Sequence, residues 1–285
     1  MIKNIVKHWD SLQEAVKTAS DAKGAAWGIK ERSSRKDGDS DFFGTPTFAH
    51  AAALSREGWP EGLQAMVKGV EALAAAPSLA RGPAFTLGVA GAYPVASFAA
   101  AGDPACMIDL APVSERARPI IRLAVAAAFS WRYTPKEVLN YGAGLVGIID
   151  ALEAADFRVE VNAVFKAQCS NGSERMLFTV KIKDSGDAVD LDRLAFCLCH
   201  AAFFRRIGFG LMESCLTGDL WSSGYGSALT LEEKDLPDMV RLSGVMAFGH
   251  DSAELKTPEA AFKAMIPLMS AQLVDRYADM PPLKY

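Results

Sequence analysis

Cys197, Cys199 and His200 are the residues whose types and spacing come nearest to a reactive constellation, because thiolates and imidazole bind zinc. The surrounding sequence reads as a helix, where positions i and i+2 point about 200° apart, so the two thiols cannot hold one ion while the helix persists. Core packing is the expected duty of this cluster. The histidines are His8, His50, His200 and His250, and none sits in a nucleophile or metal motif. His250-Asp251 falls in a loop after an expected strand, a place where sites occur. Gly142-x-Gly144-x-x-Gly147 has the glycine spacing of a dinucleotide loop but lies inside an expected helix, with no suitable acidic residue at a later strand end. Close helix packing explains it better, and Gly88-x-x-Gly91 is no stronger.

A polar segment with nearby aromatic groups remains. Ser33, Ser34, Thr45 and Thr47 together with Trp59 can bind a nucleotide, a peptide or another subunit, although turn and cap duties use the same residue types. The basic run Lys30-Glu-Arg-Ser-Ser-Arg-Lys36 is followed by Asp37, Asp39 and Asp41, so its field is largely cancelled and a solvated loop is expected.

Whole-chain properties narrow the classes. The 285 residues carry a formal net charge of −4, with no concentrated stripe of Lys and Arg, which makes nucleic acid a less favoured partner. Half of the residues are hydrophobic and 22% are charged, the balance of a folded globular chain. Five cysteines without paired spacing and no secretory signal fit reduced thiols in a cytosol. The longest apolar stretches fall short of the roughly 20 residues that cross a bilayer, so no membrane contact is expected.

The elements follow from periodicity and punctuation. Ser11 and Glu14 frame a capping box for a helix to Ala19. Thr47 behind Pro46 caps a helix to Glu57, and another is expected from Pro60 to about Ala76. Residues 24–31 can form a strand, and the Ala/Gly/Pro-rich stretch 77–109 suits short strands and loops. Ile120–Ala127 reads as a strand buried on both faces, followed by a helix from Pro135 to Ala155 with Thr134 as N-cap. Alternation at Val159–Phe165 and again at Phe178–Ile182, around Asn171-Gly172, predicts a hairpin with a tight turn. Asp190 caps a helix through Arg206 that Gly208 should end; a short strand at Phe209–Cys215, a loop at Trp221–Gly226, a strand at Met239–Phe248 and a helix from Pro258 to Tyr277 complete the chain.

This strand, helix, strand, antiparallel strand, helix order resembles a von Willebrand factor A-type domain. In that family a metal sits after the first strand on Asp-x-Ser-x-Ser, since a hard dication needs carboxylate and hydroxyl oxygens. The matching window here is Ala128-Phe-Ser-Trp-Arg132: Ser130 remains, Ala128 replaces the carboxylate, and Arg132 stands where the last hydroxyl would be. No metal is therefore expected. Trp131 and Arg132 are instead candidates for partner contact, with Trp221 a further loop aromatic.

In the N-terminal half, the words Glu31-Arg-Ser-Ser34, Phe43-Gly-Thr-Pro-Thr-Phe48 and Glu57-Gly-Trp-Pro-Glu-Gly62 are similar to a tailed-phage protein family of unknown function, implying a viral origin and a place in the host cytoplasm or the virion.

The expected architecture is α/β, a Rossmann-like sheet with an antiparallel strand over residues 116–285, preceded by a smaller α+β region at 1–115. The expected function is non-enzymatic, through protein–protein contact or self-association, with no cofactor and no catalytic residue assigned. The candidate binding residues are Ser33, Ser34, Thr45, Trp59, Ser130, Trp131 and Arg132. The alternative is an enzyme or nucleotide-binding protein whose site gathers scattered residues such as Asp103, Arg132, Glu213 and His250.

Overall fold

The computed structural model describes residues 2–22, 34–64, 66, 85–90, 93–110, 119–130, 132–154, 157–169, 171–188, 190–216, 225–242 and 248–276. Their elements run β1 (Lys3–Trp9), α1 (Leu12–Asp21), α2 (Ser40–Phe43), α3 (Phe48–Glu57), β2 (Phe85–Gly88), β3 (Tyr93–Pro94), α4 (Ala96–Ala100), β4 (Met107–Leu110), β5 (Ile120–Ala126) and α5 (Pro135–Ala154). The chain continues through β6 (Arg158–Gln168), β7 (Glu174–Lys183), α6 (Leu191–Cys199), a π-helix (Phe203–Gly208), α7 (Phe209–Cys215), β8 (Ser227–Ala228), β9 (Val240–Leu242) and α8 (Pro258–Arg276).

The architecture is mixed α/β around a six-stranded mixed sheet of order β1-β7-β6-β5-β9, with β8 paired to β6. β5 is parallel to β6 and β9, β6 and β7 are antiparallel, and β1 is parallel to β7. A separate three-stranded sheet, β2-β4-β3, uses part of the Ala/Gly/Pro-rich stretch.

β6 holds the centre of this sheet, and β5 is an interior strand between β6 and β9 whose alternate residues are covered on both faces. Ile121, Leu123 and Val125 face the main core with the helices, while Ala124 and Ala126 meet Val164 and Leu231 on the opposite face. Small alanines on that second face let residues 229–239 lie close against the sheet.

α5 is buried almost all round because it lies between two helices. A Cβ on Gly142 would stand 2.0 Å from Cys199 Sγ on α6, and one on Gly144 would stand 2.9 Å from the Phe262 backbone nitrogen on α8. These glycines serve helix packing.

Several expectations change. β1 was absent from the sequence reading. Gly208 does not end a helix: its φ is −58°, and the chain runs on into α7, so Phe209–Cys215 is helix and not strand. The break comes earlier, at His200 (φ −103°, ψ 127°). Asn171-Gly172 does join antiparallel strands, but only Gly172 has positive φ (+73°), and the loop is wider than a two-residue turn, closed by Cys169 N–H donating to Glu174 O. Residues 60–64 and 66 are helical; the rest of that expected helix, the expected strand 24–31 and residues 243–247 lie outside the described residues.

One hydrophobic cluster draws on residues from both sides of 115/116. Trp9, Leu12, Val16, Phe43 and Phe48 belong to the same hydrophobic cluster as Leu123, Phe165, Phe203 and Met265. Among the described residues no single helix is long and apolar enough to cross a membrane.

Candidate functional site

The parallel strand β5 ends at Ala126, and the chain leaves the sheet through residues 127–134 before α5 begins. In open α/β sheets such carboxyl ends are where clefts form. A crevice of about 790 Å3 opens here, between this loop, Ser40–Gly44, Trp59 and the His200–Arg205 corner.

Each wall has a local cause. Glu137 reaches back to accept hydrogen bonds from Thr134 N (2.7 Å) and Thr134 Oγ1 (2.8 Å), while Thr134 Oγ1 accepts from Glu137 N, a reciprocal cap that fixes where α5 starts. Glu137 also accepts from Asp251 N (2.6 Å), which anchors the 248–255 segment beside a second crevice of about 480 Å3. Burial pushes the Glu137 carboxyl up, but these N–H and hydroxyl donors outweigh it and hold the group below the usual carboxylate range. Tyr133 OH donates to Phe248 O (2.7 Å) and ties the same two segments together.

The opposite wall is organised by two consecutive arginines on the π-helix. Arg206 is fully buried and donates to four backbone carbonyls, those of Ser34, Lys36, Gly38 and Thr45, while its guanidinium lies 3.9 Å from the centre of the Phe43 ring. It holds residues 34–45 as a strap across the helical layer. Arg205 turns the other way, donates to Phe42 O (2.6 Å), and lies between the Phe42 and Phe129 rings. Trp59 closes this side, edge-on to His200 at 4.5 Å between ring centres. His200 Nδ1 accepts from Ala202 N (3.1 Å), and burial lowers its pKa to about 4, so the ring is neutral at pH 7.

The candidate residues divide. Trp59 and Arg132 line the crevice together, and Ser130 is on the same loop, where its Oγ accepts from Arg132 N (3.4 Å). Ser34 and Thr45 do not face it. Ser34 is buried and donates through N and Oγ to Glu213 at 2.7 and 2.6 Å; Thr45 is buried and donates to Thr47 O. Ser33, Trp131 and Trp221 lie outside the described residues.

Of the basic run, residues 30–33 lie outside the described residues and Lys36 is exposed, but Arg35 is not simply solvated: it lies over the Phe48 ring at 3.8 Å and donates to Ala19 O and Ser20 O. A cation with an apolar flank gains more from that ring and those carbonyls than from full solvation.

The scattered set of the alternative reading is dispersed. Asp103 is in an exposed loop beside the small sheet, Glu213 is engaged by Ser34 and Tyr225, and His250 sits with Asp251 next to the second crevice. Cys197 and Cys199 are both buried on α6, and that burial pushes their thiols well above the ordinary cysteine range. Among the described residues no group of three or more His, Cys, Asp or Glu side chains is placed to hold a metal ion.

Arg205, Arg206 and Lys136 are site-building residues absent from the sequence candidates, whereas His200 is among them only as a metal or catalytic group. The available signal was Phe203-Phe204-Arg205-Arg206-Ile207, two cations inside an apolar run, which reads equally well as a basic helix end.

No curated protein and no solved structure matches the chain. Residues 1–253 match the family described as a domain of unknown function, DUF7192, and with that share of its length matched the chain belongs to this family.

Proposed function

We propose that this protein is non-enzymatic and acts through protein–protein contact, with a partner or with another copy of itself, using the crevice at the carboxyl end of β5. The observation that carries this reading is the composition of the crevice. Apolar surface from Trp59, Phe129 and Leu139 stands beside the exposed cation Arg132, a pairing suited to an anchor residue and an adjacent acidic group.

The scaffold is a von Willebrand factor A-like sheet without its metal. Support comes from β5 between β6 and β9, α5 after it, β6 parallel beside it and β7 antiparallel beyond. On this reading Arg132 takes over the ion's part by pairing directly with a partner carboxylate, since Ala128 leaves the loop one carboxylate short of a cation site. The similarity of the N-terminal words to a tailed-phage family supports a viral protein working in the host cytoplasm or the virion.

The test is comparative capture from infected cells, with the intact protein and its Trp59→Ala and Arg132→Glu variants immobilised side by side, and sedimentation of each alone. A partner or self-association lost in both variants supports the proposal. Equal retention by all three, or no association at all, overturns it. Calorimetric titration with magnesium, calcium and manganese is expected to show no saturable heat, and millimolar or tighter binding abolished by Ser130→Ala would restore the metal-dependent reading.

A further inference from the structure

The crevice wall contains a charge that the described residues leave unbalanced. Arg205 is only 7% exposed, and its Nη1 is satisfied by Phe42 O, but its buried Nη2 has no hydrogen-bond partner. Its neighbour Arg206 also keeps one buried nitrogen, Nε, without an acceptor, but its terminal nitrogens reach four carbonyls, and Asp37 and Asp39 are near enough to favour the charged form. Arg205 has one carbonyl and the faces of the Phe42 and Phe129 rings, and among the described residues no carboxylate forms an ion pair with it. Two rings and one neutral acceptor offset only part of the cost of burying a cation, so the charge retains a demand for an anion. Burial accordingly lowers the Arg205 pKa with no opposing acidic group.

We infer that the crevice is a subsite for a carboxylate carried on an apolar body, with Arg205 as the buried counter-charge and Arg132 as the rim cation. The inference rests on the crevice being a contact site and names what that site recognises. The N-terminus of α5 is not the source of the preference, because the Glu137 carboxylate already occupies it. Arg132 and Lys136 are both exposed on the rim, so an anion entering the crevice passes from screened charges towards an unscreened one.

A carboxylate fits better than a phosphate for two reasons. The crevice is lined in part by Trp59, Phe129, Val138 and Leu139, apolar surface that suits the body carrying a carboxylate and gives nothing to a bare phosphate. Asp41 also stands on the rim, where it repels a dianion more than a monoanion. The carboxylate belongs either to a protein partner's side chain or to a small free acid, and the two sources separate by probe.

The experiment uses the full chain and calorimetry with four probes: a capped Leu-Asp-Leu peptide amide, its Leu-Asn-Leu counterpart, phenylacetate and inorganic phosphate. The aspartyl peptide is expected to bind at least tenfold more tightly than the asparaginyl one, with that preference lost in Arg205→Met and reduced in Arg132→Glu. Because Arg205→Met can disturb packing, Arg132→Glu at the exposed rim provides the second reading on a folded protein. Saturable phenylacetate binding with the same sensitivity to both variants points to a free acid, and aspartyl-peptide binding alone points to a protein partner; both support the carboxylate subsite. Equal binding of the two peptides, stronger binding of phosphate, or binding of no probe overturns it. If partner capture still depends on Trp59 and Arg132 after such a failure, the contact surface stands and only its carboxylate chemistry falls.

Discussion

Arg205 and Arg206 are adjacent in sequence and opposite in duty, and the difference is visible in what each donates to. Removing Arg206 orphans four carbonyls and the strap they belong to. Arg206→Met keeps much of the volume and none of the donors, so it is expected to lose about 3 kcal/mol or more, read as a lower urea midpoint with faster proteolysis of residues 34–45. His200 gives a pH dependence. Its folded pKa of about 4 lies below the ordinary histidine value of about 6.5, so between these limits the unfolded chain binds more protons than the folded one. The associated stability is complete above about pH 6.5, is lost as pH falls towards 4, and changes no further below that. The slope cannot exceed one proton, about 1.4 kcal/mol per pH unit. Urea midpoints at pH 7 and pH 5 should differ in the native protein and converge in His200→Phe, which keeps an aromatic partner for Trp59 but does not titrate; an unchanged difference would assign the effect to other groups.

At the scale of elements, α5 is the part whose replacement residues are most constrained. Gly144→Ala places a methyl 2.9 Å from Met265 Cε and 2.9 Å from the Phe262 backbone nitrogen, and a backbone atom cannot swing aside as a side chain does. The variant is expected to destabilise by about 1–3 kcal/mol despite alanine's better helix propensity, measured by chemical denaturation. The same helix shows what was legible in the sequence. Pro135 behind Thr134, the apolar stripe and the buried β5 run before it all carry local signals, and the Val159–Phe165 alternation gives the hairpin. β1 carried none, because an edge strand such as Lys3-Asn-Ile-Val-Lys-His-Trp9 buries only its last residue. α7 was misread because a short apolar run has no decisive period, and Gly208 imitates a helix stop. Its real reason is proximity: a Cβ there would stand 3.1 Å from Phe204 and 3.2 Å from Phe165. The crevice was legible only in pieces, Trp59 and Arg132, since the contact that joins them is made by tertiary packing and not by spacing.

At the scale of the molecule, the N-terminal residues complete the sheet and supply acceptors that the rest of the chain cannot replace. β1 pairs with β7 along seven positions, Lys3 to Trp9, and Trp9 packs edge-on against Phe178 at 5.5 Å between ring centres. All four carbonyls that accept from Arg206 come from residues 34–45, and Ser34 supplies two donors to Glu213. A fragment of residues 116–285 would therefore expose the Phe178 edge of the sheet, leave the Arg206 guanidinium without those acceptors and remove one crevice wall at Ser40–Gly44 and Trp59. Each loss acts on a buried group, so the fragment should not reach a native packed state by local repair. The expected result is a fragment that aggregates or binds a hydrophobic dye without a cooperative unfolding transition, with residues 1–115 added in trans restoring the transition. A monomeric 116–285 fragment that unfolds cooperatively, with near-native dispersion of its amide resonances, would show instead that the sheet is complete without β1 and that the strap is an addition to a self-sufficient domain.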